Sequence, residues 1–211
     1  MKNMNEQGRS MIEMLGVLAI IGVLSVGGIN MINKMQDSYE ATQIIDETGD
    51  LASHAKKMVR EYLADGYTSG SMVSYLGNAK GLPSALYNGY DDCGGNLCGT
   101  ANSAFDVVYY SDNGVFAVTI DNLSEETCMQ MSTNNWGGPS SSGFLGMGVV
   151  SNVKAKASVT DITKKVINSQ GSSTSNKAIG IVGNSSNPAP LGIGAAANVC
   201  QDGAGIVLVY R

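Results

Sequence analysis

Glu13 has the most sharply defined chemical task in this sequence. It stands at the amino-terminal edge of an apolar run, and from Met14 to Ile32 the only plainly polar side chains are Ser25 and Asn30. An acidic group at the centre of such a run costs roughly 2.5–3.5 kcal/mol in hydrocarbon, and less near its end, so a carboxylate kept here calls for a cationic partner. The four cysteines, Cys93, Cys98, Cys128 and Cys200, form the second reactive set. An even number in an exported chain implies two disulfides, in one of three connectivities. A local bridge across Cys93-Gly94-Gly95-Asn96-Leu97-Cys98 is sterically reasonable, because the loop is tight and glycine-rich. Four reduced core thiols in a cytosolic protein are the bland alternative, and an export signal argues against them. Zinc is weaker still. The spacing between Cys93 and Cys98 is outside the common two-residue knuckle, and the single histidine, His54, lies far upstream on a predicted helix.

No catalytic constellation is present. A serine triad lacks G-x-S-x-G and has only His54 to offer as base. No phosphate-binding G-x-x-x-x-G-K-[ST] occurs. Gly143-Phe-Leu-Gly-Met-Gly148 reverses the glycine spacing of the dinucleotide fingerprint and reads as a strand or turn. Asp112-Asn113-Gly114 and Asp121-Asn122 lack EF-hand spacing and read as turn residues. The expectation is a protein that is not an enzyme, with no cofactor and no metal. A formal net charge of −5 leaves no electrostatic footprint for nucleic acid. Charged residues make up only 15% of the 211-residue chain, against the usual ~25%, and glycine reaches 27. A polar Gly/Ser/Asn-rich surface of this kind suits an extracellular protein with long loops.

The elements that must carry these residues begin with a long helix, predicted from Ser10 to Ala64. At 1.5 Å per residue it would span about 80 Å. The apolar part is close to the ~20 residues needed to cross a hydrocarbon core. Gly16, Gly22, Gly27 and Gly28 interrupt it. Small residues there allow close helix packing, and Gly27-Gly28 reads either as that or as a weak point where the helix stretches on assembly. Further on, Tyr39, Ile44, Ile45, Leu51, Ala55, Met58, Val59, Tyr62 and Leu63 recur at three- and four-residue steps, an amphipathic pattern. The first half therefore needs lipid or other helices, and the second half needs a body to pack on. Asp65-Gly66 is a stop signal. A cleaved secretory signal is disfavoured by Glu13 and by the lack of an Ala-x-Ala site. A plain signal anchor predicts the same topology but gives Glu13 no role. His54 reads as a surface or boundary residue.

After Gly66 the chain turns loop-like, with a short helix near Met72–Leu76 and a turn and short apolar segment over Gly81–Leu86. Phe105–Tyr110 and Val115–Ile120 flank Ser111-Asp112-Asn113-Gly114 and predict a β-hairpin. Leu123–Met131 predicts a short helix capped by Ser124 and carrying Cys128. Strands are expected near Phe144–Val150 and Ala157–Ile162, a surface loop over Ser169–Asn176, and an edge strand at Lys177–Gly183. A helical turn is expected at Gly194–Val199, and a central strand at Ile206–Tyr210, which is apolar on both faces.

Gly8-Arg9-Ser10-Met11-Ile12-Glu13 followed by a long apolar helix resembles the amino terminus of a type IV prepilin, and the match runs through Met14 to Ile29. The resemblance implies a leader over residues 1–8, cleavage between Gly8 and Arg9 by a prepilin peptidase, and methylation of the new α-amine at Arg9. Glu13 would be the fifth mature residue, which acts in assembly, and Gly22 falls where many pilins carry Gly. Arg9 stands where the family usually has Phe, Met or Leu. Asn30 stands where Pro is common. The layout of the body is similar to type IVb pilins such as toxin-coregulated and bundle-forming pilins, although the short leader is not. It implies an α+β pilin fold: a long amino-terminal helix packed on an antiparallel sheet, with a disulfide-closed carboxy-terminal region. On that resemblance Cys128 pairs with Cys200 and Cys93 with Cys98.

The implied organisation is leader 1–8, hydrophobic transmembrane or filament-core helix 9–33, amphipathic helix 34–65 and globular head 66–211. Gly22, Gly27 and Gly28 would give the helix flexibility. The implied partners are further copies of the chain, the prepilin peptidase and the inner-membrane pilus assembly machinery. The subunit would sit in the inner membrane before assembly and in an extracellular pilus afterwards. A minor pilin or type II secretion pseudopilin, priming an assembly machine, is the alternative.

Overall fold

The computed structural model describes residues 5–87, 96–137, 142–150, 156–167, 179–182 and 190–211; side chains at 5–10, 26–28, 30, 33, 87, 156–158 and 179–182 lie outside the description. The chain divides after Tyr39 into two units. The first unit is the leading part of helix α1, which runs Asn5–Ala64. Thr48-Gly49-Asp50 does not end the helix; the buried Thr48 hydroxyl donates to the carbonyl of Ile44 at 2.6 Å. Gly66, at φ +82°, closes α1. Its amide donates to Leu63 and that of Tyr67 to Tyr62, so two orphan carbonyls of the last turn are satisfied as in a Schellman cap.

The second unit, Glu40–Arg211, is α+β. Among the described residues seven strands form one antiparallel sheet: β1 Gly70–Ser71, β2 Leu97–Cys98, β3 Ala104–Tyr110, β4 Val115–Leu123, β5 Phe144–Val150, β6 Ile179–Val182 and β7 Ala204–Tyr210. Their order is β1-β3-β4-β7-β5-β6, with β2 also pairing with β3. The last strand is central, with Val118 opposite Leu208 on one side and Met147 opposite Leu208 on the other. Every residue of β7 is buried, as its run of apolar side chains requires. The hairpin forms as expected, Val107 facing Val118, and Gly114 takes the positive φ of its turn.

Alternation along the strands sends side chains to two faces. On one face Phe105, Val107, Phe116, Ile120, Ile206 and Leu208 pack with Ile44, Leu51, Ala55 and Tyr62 of α1. Ala41, Thr48 and Ala52 are also buried on that helix, whereas Tyr39 and Leu63 of the expected stripe are 65% and 42% exposed. On the other face Val115, Ala117, Val150, Val207 and Val209 pack with Val159, Ile162 and Val166. These last three belong to a helix, α5 Lys156–Ile167, where a strand was expected at Ala157–Ile162. The steps of three and four between them are helical spacing. The β-branched composition favours a strand only weakly, and covering the second sheet face outweighs it. Lys164 and Lys165 in the last turn also complement the helix dipole.

The shorter helices are α2 Val73–Asn78, α3 Ser84–Tyr87, α4 Glu125–Thr133 and α6 Ile193–Val199. Ser124 caps α4, its Oγ accepting from the Thr127 amide at 3.2 Å, with Glu125 and Glu126 in the first turn. Cys128 on α4 and Cys200 just after α6 form a disulfide. Cys98 is also disulfide-bonded; Cys93, expected as its partner, lies outside the described residues, as does the loop expected at Ser169–Asn176.

Candidate functional site

The feature that most needs a partner is the surface of α1 before Tyr39. Met11, Ile12, Met14, Leu15, Val17, Leu18, Ile20, Ile21, Val23 and Leu24 are each more than half exposed. At 3.6 residues per turn, positions 11, 12, 17 and 20 fall on four different sides, so the exposed set encircles the helix. Full burial of one such side chain stabilises by roughly 1.5–3 kcal/mol, so the whole surface is unfavourable in water. Contiguous apolar surface of this kind marks an interaction site. Among the described residues no helix is long and apolar enough to cross a membrane. The apolar run of the sequence passes through positions 26–28, 30 and 33, whose side chains lie outside the description.

Glu13 is exposed within this surface, between Ile12 at 73% and Met14 at 67% exposure. Gly8 and Arg9 lie in the same helix, and their side chains lie outside the description. Glu13 follows Arg9 by four positions, about one helical turn. A Cβ on Gly16 or Gly22 would meet no atom within 4 Å, so nothing within the chain demands glycine there. Gly27 and Gly28 fall inside α1, which continues through them as helix. Ser25 satisfies its hydroxyl by donating to the Ile21 carbonyl at 2.7 Å, so it adds little polarity to the surface.

Elsewhere the polar side chains serve the fold. His54 is half-buried, with Nδ1 2.8 Å from the Gly81 carbonyl oxygen, which ties α1 to the segment before α3. Glu47 of α1 accepts from the Thr100 amide at 3.1 Å through Oε2 and from the Thr100 hydroxyl at 2.7 Å through Oε1. It thereby holds the turn between β2 and β3, a role that the sequence pattern did not mark. Asp121 Oδ1 accepts from the Asn122 amide at 2.9 Å, where the strand bulges and Asn122 has φ +64°. Among the described residues no group of three His, Cys, Asp or Glu side chains could hold a metal ion.

A cavity of about 470 Å³ opens on the outer side of the sheet beside β1, β3 and α5, lined by Ser71, Asp106, Val108, Tyr110, Thr119 and Thr160 among others. Asp106 Oδ1 accepts from the Ser71 hydroxyl at 2.6 Å. Thr119 donates to the Asp106 carbonyl. These contacts crosslink β1 to β3 and β3 to β4. The only sequence signal for this cavity is the alternation Ala104, Asp106, Val108, Tyr110, which marks one half-buried strand face.

Compared with known proteins, the chain matches no protein-family model and no curated sequence.

Proposed function

We propose that this chain is the structural subunit of a type IV pilus, cleaved by a prepilin peptidase after Gly8 and polymerised through α1 into an extracellular filament. The observation that carries the reading is the exposed apolar surface of α1 with Glu13 set into it, four residues after Arg9. In the proposed assembly the subunit first resides in the inner membrane. It then exchanges that surrounding for the helices of other copies, which bury the apolar side chains and exclude water around Glu13. The α-amine released at Arg9, free or methylated, supplies the positive partner for the Glu13 carboxylate of a neighbouring subunit. The α+β head with its Cys128–Cys200 bridge forms the outer part of the filament and suits an exported, oxidised protein.

The test is the mass of the amino-terminal peptide from material sheared off cells. A peptide that begins at methylated Arg9, recovered in the sheared fraction, is the expected result. An intact Met1 terminus found only in membranes would overturn the proposal in favour of a plain anchor. Correct processing with no subunit in the sheared fraction would favour the minor pilin or pseudopilin instead.

A further inference from the structure

Within the Glu40–Arg211 unit, the outward stripe of α1 carries charges sorted by sign. The helix buries Ala41, Ile44, Thr48, Leu51, Ala55 and Tyr62. Directly opposite, at helical spacing, stand Asp46, Asp50, Ser53, Lys57 and Arg60, all exposed. Along this stripe acid comes first and base follows; the exposed Glu61 flanks the basic end, one turn after Lys57. Within one helix this order is unfavourable: Asp46 and Asp50 are neighbours one turn apart, as are Lys57 and Arg60, and like charges at that spacing repel. The helix dipole does not account for it. Its effect falls off within the first and last turns, while Asp46 and Asp50 lie far from Asn5, where α1 begins. No ion pair joins Asp46, Asp50, Lys57 or Arg60 to another side chain among the described residues.

We infer that this stripe sets the axial register between copies of the chain, the acidic segment of one α1 lying beside the basic segment of a parallel α1. This rests on the proposed polymer of parallel helices. Asp46 and Lys57 are eleven residues apart, and Asp50 and Arg60 are ten. A single offset of about 15–17 Å, at 1.5 Å rise per residue, therefore brings both pairs level. The occupant is a second copy because this one stripe holds both halves of the match. Each exposed pair is weak alone. Repetition at every junction favours one offset, and a slipped register brings like charges together.

Three variants test the inference: Asp46→Lys with Asp50→Lys, Lys57→Asp with Arg60→Asp, and all four together. Each double reversal should lower the filament in the sheared fraction roughly tenfold or more, since like-charge contacts then repeat along the polymer. The chain with all four reversals should recover parental yield, which also shows that the reversals are compatible with folding. If both double reversals assemble like the parent, the register inference fails and the pilus reading stands. If the fourfold variant stays as defective as the doubles, the pairing between copies is wrong. A parent chain that yields no filament at all would sink the pilus reading, and this inference with it.

Discussion

Cys128 and Cys200 lie 72 residues apart in sequence, yet their Cα atoms are 5.6 Å apart and a disulfide joins them. The bridge ties α4, which follows β4, to the end of α6, which leads into β7. It closes the long excursion that carries β5, α5 and β6, and so anchors the start of the central strand. Ser132 on α4 stands beside it, Oγ 3.8 Å from Cys200 Sγ.

Cys128→Ser with Cys200→Ser should therefore destabilise the second unit by about 2–5 kcal/mol, the range for a native bridge in a secreted domain. Urea unfolding of the purified full chain in detergent measures it, compared with the oxidised parent. A midpoint equal to the parent's would show that the excursion is held by packing alone.

Assembly should depend on Glu13. Glu13→Ala is expected to leave the subunit in membranes at parental amount while removing it from the sheared fraction. Breaking one side of a buried charge pair typically costs about 3–5 kcal/mol, enough to abolish polymerisation. Normal filaments from Glu13→Ala cells would refute the pairing of this carboxylate with a neighbouring α-amine.

The second sheet face depends on an absent side chain. A Cβ on Gly148 would lie 2.6 Å from Ile162 Cγ2, closer than carbon atoms approach. Gly148→Ala should push α5 away and cost about 1–3 kcal/mol, the usual range for overpacking. Ile162→Ala alone should cost about 2–5 kcal/mol through the cavity it leaves. In the double variant the new methyl partly fills that cavity, so its cost should be less than the sum of the two single costs. Strict additivity in a double-mutant cycle would show that the two residues do not touch.

Stability should fall in alkali. Burial raises the Tyr210 phenol above its ordinary value of 10.0; the ring stacks on Phe116 and meets Phe144 edge-on. Tyr75 is pushed up to about 12 by burial and by the hydrogen bond it donates to Asp65 Oδ2 at 2.9 Å. Below pH 10 these phenols are neutral in both states and add no pH dependence. Above it the unfolded chain releases their protons first, so unfolding becomes easier as pH rises. For Tyr75 the loss runs from about pH 10 to about 12; for Tyr210 it extends further. Urea midpoints measured across this range should decline, and Tyr210→Phe should decline less steeply. An unchanged slope in that variant would count against a buried, protonated Tyr210.

What the sequence determined by itself lies where a local rule acts alone. Asp65-Gly66 ends α1 because a left-handed cap needs glycine. Ser124 starts α4 because its hydroxyl reaches the Thr127 amide. Phe105–Tyr110 and Val115–Ile120 form a hairpin around a turn sequence. Ile206–Tyr210 was legible as a central strand because it is apolar on both faces. The exposed apolar surface around Glu13 was legible too, since the run is a pattern of adjacent residues. Tertiary structure alone decided the rest. Whether Val159, Ile162 and Val166 lie on a strand or a helix depended on a sheet face, built from distant strands, that required cover. The junction of Cys128 with Cys200 depended on α4 and α6 meeting, and the role of Glu47 on Thr100 arriving beside it from the far side of β2. These outcomes follow from contacts between residues far apart in the chain, which no local spacing rule contains.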